Sequence, residues 1–182
     1  MGIAVSPDFA RTRHVFVVGA FLGEDDELVN RVVRYTERNG KGIEPTVVVD
    51  GIPGEKYHAG DAIAFGPDGM LYVATGDARE PGDAQDTESL AGKILRYEPD
   101  GRIPHDNPVR GSPVYASGLR NPQGIAWEPW TKQLFAIDHG PSGFPNERLR
   151  RNHDELNAIR AAGNYGWPTV AGDDDDSRYI AP

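Results

Sequence analysis

The hydrophobic positions of this chain fall in short alternating runs rather than in helical stripes. Three segments overlay on one another: Ile3-Ala4-Val5-Ser6-Pro7-Asp8, Ile63-Ala64-Phe65-Gly66-Pro67-Asp68 and Ile125-Ala126-Trp127-Glu128-Pro129-Trp130. They begin 60 and 62 residues apart, and each leads through a polar turn into a second β-rich run, at 14–18, 70–74 and 133–137. The pattern predicts strand, Pro-centred turn and strand, three times over. In the second copy, Asp68-Gly69 has the positive-φ chemistry of a hairpin turn. Further runs at 30–36, 46–49 and 93–97 add strands between the repeats, and Val32-Val33-Arg34-Tyr35 matches Ile94-Leu95-Arg96-Tyr97 as equivalent third strands would. Pro and Gly interrupt nearly every helical window, so only 148–159 predicts a turn or two of helix.

About four short strands per 60 residues is the content of a β-propeller blade. The expected fold is therefore all-β: a single partial β-propeller domain over 1–182, with about three four-stranded blades whose repeats start near 3, 63 and 125. Closed propellers typically have about four to eight blades. The period thus predicts either part of a longer polypeptide or two copies closing a ring. A β-sandwich with accidentally similar turn-flanked strands is the competing architecture.

Composition narrows the chemistry. With no Cys, a disulfide scaffold or a thiolate metal site is excluded. The balance of 19 Lys+Arg against 28 Asp+Glu, a net charge of −9, argues against nucleic acid or an anionic membrane as partner. Hard cations and small neutral molecules fit better. No apolar run approaches the roughly 18 residues of a membrane span, and residues 1–5 lack the basic and apolar regions of a signal peptide.

Four places carry candidate chemistry. His58, just before the second repeat, is a candidate general base, because an imidazole's ordinary pKa of about 6.5 suits proton transfer near neutrality. Arg120 and Asn121, in Gly118-Leu119-Arg120-Asn121-Pro122-Gln123-Gly124, offer a donor fork and an amide for an oxyanion or carboxylate; the plain alternative is a solvated turn. In Asp138-His139-Gly140-Pro141-Ser142-Gly143, Gly and Pro can present backbone carbonyls to a hard cation, or form an ordinary turn. The run 173–176 is four aspartates, either a calcium-chelating loop or a flexible acidic one. No nucleophile elbow, phosphate-binding Gly-rich loop or zincin His pair is present.

Taken in order, His58 with Ala64 through Tyr72 and Gly76-Asp77; Gly92-Lys93-Ile94-Leu95-Arg96, Asp100-Gly101-Arg102-Ile103-Pro104 and Asp106-Asn107-Pro108; and Gly118 through Gly124, His139-Gly140-Pro141, Asp154-Glu155-Leu156-Asn157 and Asn164-Tyr165-Gly166-Trp167-Pro168 resemble the soluble pyrroloquinoline-quinone (PQQ) dependent glucose/sorbosone, or aldose sugar, dehydrogenases. The resemblance covers nearly the whole chain and about half the family's length. It implies a six-bladed propeller that oxidises an aldose to its lactone, with PQQ and Ca²⁺ as cofactors and a periplasmic or secreted location. By residue matching, His58 resembles the base, and Arg120 and Asn121 the pair at the cofactor's reactive carbonyl, Arg120 taking a catalytic part. His139 and Asp154 match cofactor-side positions. Gly140 and Pro141 match calcium ligands, and Ala171, Asp173 and Asp175 a second, structural calcium. Tyr57 stands where some members have an Asp that orients the base, His139 where some have Gln, and 144–153 reads as an insertion. The expected partners are an aldose, an unidentified electron acceptor and a second copy of the chain in a ring-closing homodimer. The alternatives are a non-catalytic calcium-binding propeller module and, less well matched, a calcium-dependent lactonase, for which the ring of inward carboxylates has no counterpart.

Overall fold

The structure is a computed structural model describing residues 1–23, 26–143, 145, 153–172 and 176–182. The chain forms antiparallel meanders in sequence order. In the first sheet β1 (Gly2–Val5), β2 (His14–Leu22), β3 (Leu28–Arg38) and β4 (Lys41–Pro53) lie side by side in chain order, and a single helical turn, α1 (Phe9–Thr12), joins β1 to β2. The second sheet continues with β5 (Gly60–Phe65), β6 (Leu71–Thr75), β7 (Lys93–Tyr97) and β8 (Val114–Ser117). The third holds β9 (Pro122–Trp127), β10 (Leu134–Asp138) and β11 (Glu155–Ile159). The chain then returns through β12 (Gly163–Asn164), which runs parallel to β8 and extends the second sheet.

The repeat persists at the level of strand register. Ala4, Ala64 and Ala126 face Phe16, Tyr72 and Phe135 across their hairpins, and Arg34 and Arg96 in turn face Phe16 and Tyr72 from the third strands. One departure from expectation is Glu155–Ile159, which is a strand where the sequence predicts helix. Its pairing with β10, placing Leu156 opposite Ile137 and Ala158 opposite Phe135, overrides the weak local preference.

Alternation then decides burial. Ile63, Val73 and Leu95 on one face of the second sheet pack against Ala4, Phe16, Val18, Val32 and Val49 of the first. Ala62, Tyr72, Ala74 and Ile94 on its other face pack against Leu134, Ala136 and Ile159 of the third. The middle sheet is covered on both sides, and β6 and β7 are buried at every position. The outer sheets are covered on one side, leaving Ile3 and Val5 exposed at one end of the stack and Ile137 and Leu156 at the other. The first strands lie together, β5 beside both β1 and β9. Among the described residues no helix is long and apolar enough to cross a membrane.

The register places the starts of β5, β7, β9 and β11 and the ends of β6, β8 and β10 at one end of the sheets. The connections that emerge there are stitched together. The buried ammonium of Lys93 donates to the carbonyls of Asp83 and Ala91, both at 2.7 Å, and of Ala84 at 3.2 Å. Gly118 donates its N–H to Ala84 O at 3.0 Å, and Leu119 donates to Gly92 O at 3.2 Å. This anchored end holds the candidate site.

Leu95 is fully buried between the first two sheets. Leu95→Ala is expected to lower unfolding free energy by about 2–5 kcal/mol, because the rigid sheets cannot collapse onto the cavity; urea denaturation followed by circular dichroism measures it.

Candidate functional site

His58 lies in the β4–β5 connection with a left-handed backbone (φ 58°), 8% exposed. Its approach depends on Gly76 at the end of β6, where a Cβ would stand 1.9 Å from the His58 carbonyl oxygen. That close approach sets the next residue, Asp77, beside the imidazole. His58 Nδ1 is 2.7 Å from Asp77 Oδ1, and Nε2 is 2.9 Å from a terminal guanidinium nitrogen of Arg120. A guanidinium only donates. Nε2 therefore carries the lone pair, and the ring proton sits on Nδ1, donated to Asp77. In the fold it is Asp77 that orients the ring.

Arg120, 2% exposed, is held from several sides. Its other terminal nitrogen donates to the His139 carbonyl oxygen at 2.7 Å, and its own carbonyl accepts the Asp77 N–H at 2.7 Å. Its backbone N–H and that of Asn121 donate to Asp138 Oδ2 and Oδ1, at 2.8 and 2.6 Å. Asn121 Oδ1 in turn accepts the Gly60 N–H at 3.0 Å, tying the β8–β9 turn to the His58 loop. The turn that could have been solvated is thus buried and pinned at both residues.

His139 is more open. Its Nδ1 stands 3.2 Å from Arg120 and 3.0 Å from Gly140 O. The first contact needs a lone pair on that nitrogen and the second needs a proton, so the two hydrogen bonds exclude each other. Gly140 and Pro141 are buried, and Asp154 Oδ1 accepts the Gly140 N–H at 3.0 Å from the rim. A cavity of about 400 Å³ opens over His58, lined also by Lys56, Asn121, Gln123, His139 and Ser142.

The fold brings His58, Arg120, Asn121, His139 and Gly140 together, with Pro141 following and Asp154 at the edge. Ala171 packs on Trp167 and Ala84 and does not line the cavity over His58. Asp173 and Asp175, and nearly all of the 144–153 segment, lie outside the described residues; among the described residues no cluster of three or more His, Asp or Glu forms a metal-binding group. Three further residues join the site without having been given a role from sequence: Asp77, Asp138 and Trp167, whose indole N–H donates to Asp77 Oδ2 at 2.8 Å. Asp77 and Trp167 stand inside the motifs that carry the family resemblance and Asp138 directly before one, which is the signal that marks them.

Burial, with a contribution from the Glu155 charge, pushes the Asp138 carboxyl up to about 7, while the N–H groups of Arg120 and Asn121 pull it back. Since this lies above its ordinary value of 3.8, the folded chain binds a proton that the unfolded chain has released, and this group's contribution to stability falls as pH rises from about 4 to about 7. Asp138→Asn is expected to remove that fall; the difference in thermal midpoint between the parent and variant chains, followed across this window, should narrow with rising pH.

The sequence matches the Glucose / Sorbosone dehydrogenase family over residues 1–182. It is 34% identical to quinoprotein glucose dehydrogenase B of Acinetobacter calcoaceticus over 98% of this chain and 41% of that protein. Among solved structures, a Thermus thermophilus protein assigned as a glucose dehydrogenase superposes with a TM-score of 0.91 at 46% identity, covering 100% of this chain and 55% of that one. The PQQ-bound aldose sugar dehydrogenase of Streptomyces coelicolor gives 0.88 at 40% identity, with 100% and 52% covered. The chain spans about half the length of the relatives it matches. With full coverage of the chain by the family, and with the fold shared at this level of identity, the chain belongs to the glucose/sorbosone dehydrogenase family.

Proposed function

We propose that this chain carries the proton-accepting half of a PQQ- and calcium-dependent aldose dehydrogenase, which oxidises the sugar to its lactone. The observation that carries the reading is the imidazole of His58, fixed in one tautomer between Asp77 and Arg120 at the floor of a 400 Å³ cavity. The cavity is of a size that takes small molecules and cofactors. His58, Asn121, Gln123 and His139 supply its polar contacts.

The residues fit the implied groups. Gly140 and Pro141 offer backbone oxygens, the donor type a hard cation prefers, with the Asp154 carboxylate beside them. Arg120 offers a buried positive charge suited to an oxygen that gains negative charge. When bound, the quinone supplies a two-electron acceptor for the hydride, and the cation polarises its carbonyl. The rest falls to the protein. His58 Nε2 takes the proton of the anomeric hydroxyl, and Asp77 stabilises the imidazolium through Nδ1–H. Once Nε2 is protonated it can no longer accept from Arg120, so the guanidinium donor turns to a ligand oxygen as the proton arrives.

The same reading gives the sheets as three blades of a six-bladed propeller, working in the periplasm or outside the cell. Two copies would close the ring, each outer face covered by the other copy. The exposed apolar pairs Ile3 and Val5, and Ile137 and Leu156, support such a homodimer. Light scattering is expected to give twice the 19.8 kDa chain mass; a well-behaved monomer contradicts the dimer.

A non-catalytic calcium-binding propeller module is the second reading, favoured by the terminal nitrogens of Arg120 already donating to His139 and His58. Reconstitution with PQQ and Ca²⁺, followed by dye reduction with glucose or another aldose, separates the two. Activity is expected, and His58→Ala is expected to lower turnover on the order of 10²–10⁴-fold with quinone affinity retained. Silence together with no quinone binding by calorimetry overturns the enzyme reading; equal loss of turnover and affinity in the variant overturns the role of His58.

A further inference from the structure

Trp167 touches both residues that hold His58. Its indole N–H donates to Asp77 Oδ2 at 2.8 Å, across 90 residues of sequence. Its ring lies 5.6 Å from the centre of the Arg120 guanidinium, within cation–π range. The side chain is 3% exposed and packs on Ala84 and Ala171. Its backbone is held as well, the N–H donating to Gly118 O at 3.0 Å and the carbonyl accepting from the Gln85 amide at 2.7 Å. A ring so fixed cannot turn away without opening the anchored end of the sheets.

Asp77 is fully buried, and its two oxygens have divided duties. Oδ1 accepts from His58 Nδ1 at 2.7 Å and from the Arg79 N–H at 2.9 Å, while Oδ2 accepts from Trp167. A buried carboxylate oxygen without a donor is costly, so a carboxylate deprived of one donor rotates to share the others. Rotation moves the fixed acceptor away from His58 Nδ1–H. The cation–π contact acts on the opposite side of the imidazole, through the guanidinium that faces Nε2.

We infer that Trp167 is a positioning residue that fixes the orientation of the His58 imidazole, holding its Asp77 acceptor on one side and Arg120 on the other. This rests on the reading of His58 as the base and adds to it a determinant from the segment after β12. The physical requirement is an indole rather than any large apolar residue, because one atom must donate while the π-face meets a cation.

The test reads the His58 hydrogen bond directly and needs neither quinone nor sugar. In the ¹⁵N-labelled chain, His58 is expected to show a protonated Nδ1 with a downfield resonance typical of an imidazole donating to a carboxylate. Trp167→Phe keeps a ring over Arg120 and deletes the N–H. It is expected to move that resonance upfield and broaden it as Asp77 loses its fixed place, with Nε2 still accepting from Arg120, in a chain that still melts cooperatively. A folded variant with the resonance unchanged overturns the inference, since a merely structural tryptophan would lower the melting temperature and leave the resonance alone. Should the variant not fold, the parent chain still decides. The Trp167 indole N–H must exchange with solvent far more slowly than that of Trp130, which is 87% exposed, and must shift on Asp77→Asn; equal exchange rates, or no shift, overturn it. In reconstituted enzyme, Trp167→Phe lowers kcat with KM unchanged. Failure of quinone to bind leaves the resonance result standing, so the two readings fail separately.

Discussion

A buried guanidinium that can only donate organises this site. Because Arg120 presents N–H to His58 Nε2, the imidazole proton has one remaining place, on Nδ1, and that proton in turn requires an acceptor. Asp77 is that acceptor, and a carboxylate with no solvent exposure requires donors of its own, found in His58, Arg79 and Trp167. Asp138 repeats the logic one layer back, receiving the two backbone N–H groups that orient Arg120 and Asn121. Each polar group is placed by the need to satisfy the one before it.

The sheets keep the conformational entropy cost of this chain of requirements low. The contributing loops leave the anchored ends of strands that are already paired, and the middle sheet is buried on both faces. Lys93 closes the β6–β7 connection by filling all three of its ammonium donors with backbone carbonyls. Asp77 and His58 therefore meet between rigid supports, as the base role proposed for His58 would require.

The three-fold repeat was legible in sequence because it is a register property. The Ala that recurs in each copy faces an aromatic residue, and period-two alternation follows from that pairing. Glu155–Ile159 was not legible, since its strand character comes from β10 rather than from its own composition. At the site, His58, Arg120 and Asn121 stood out by residue type and motif. Asp77, Asp138 and Trp167 did not, because an aspartate after a strand or a tryptophan in a loop is ordinary by itself. Their meaning lies in contacts across 19, 17 and 90 residues, which only the fold creates.

The arrangement also divides the chemistry in two. His58, Asp77, Arg120 and Trp167 lie at the anchored end of the second and third sheets, whereas Ile3, Val5, Ile137 and Leu156 occupy the outer faces. The proton acceptance proposed for His58 would thus be built from contacts internal to the chain, whatever covers those faces. Cofactor affinity is another matter. An anionic quinone needs positive charge, yet the chain carries a net −9, and Arg120 already donates to His58 and His139. Among the described side chains that line the cavity with His58, Lys56 brings a further full cation. Charge complementarity therefore points outward: on the proposed reading, the grip on a quinone would depend on whatever surface faces the cavity from across its mouth, and the orientation of His58 would not.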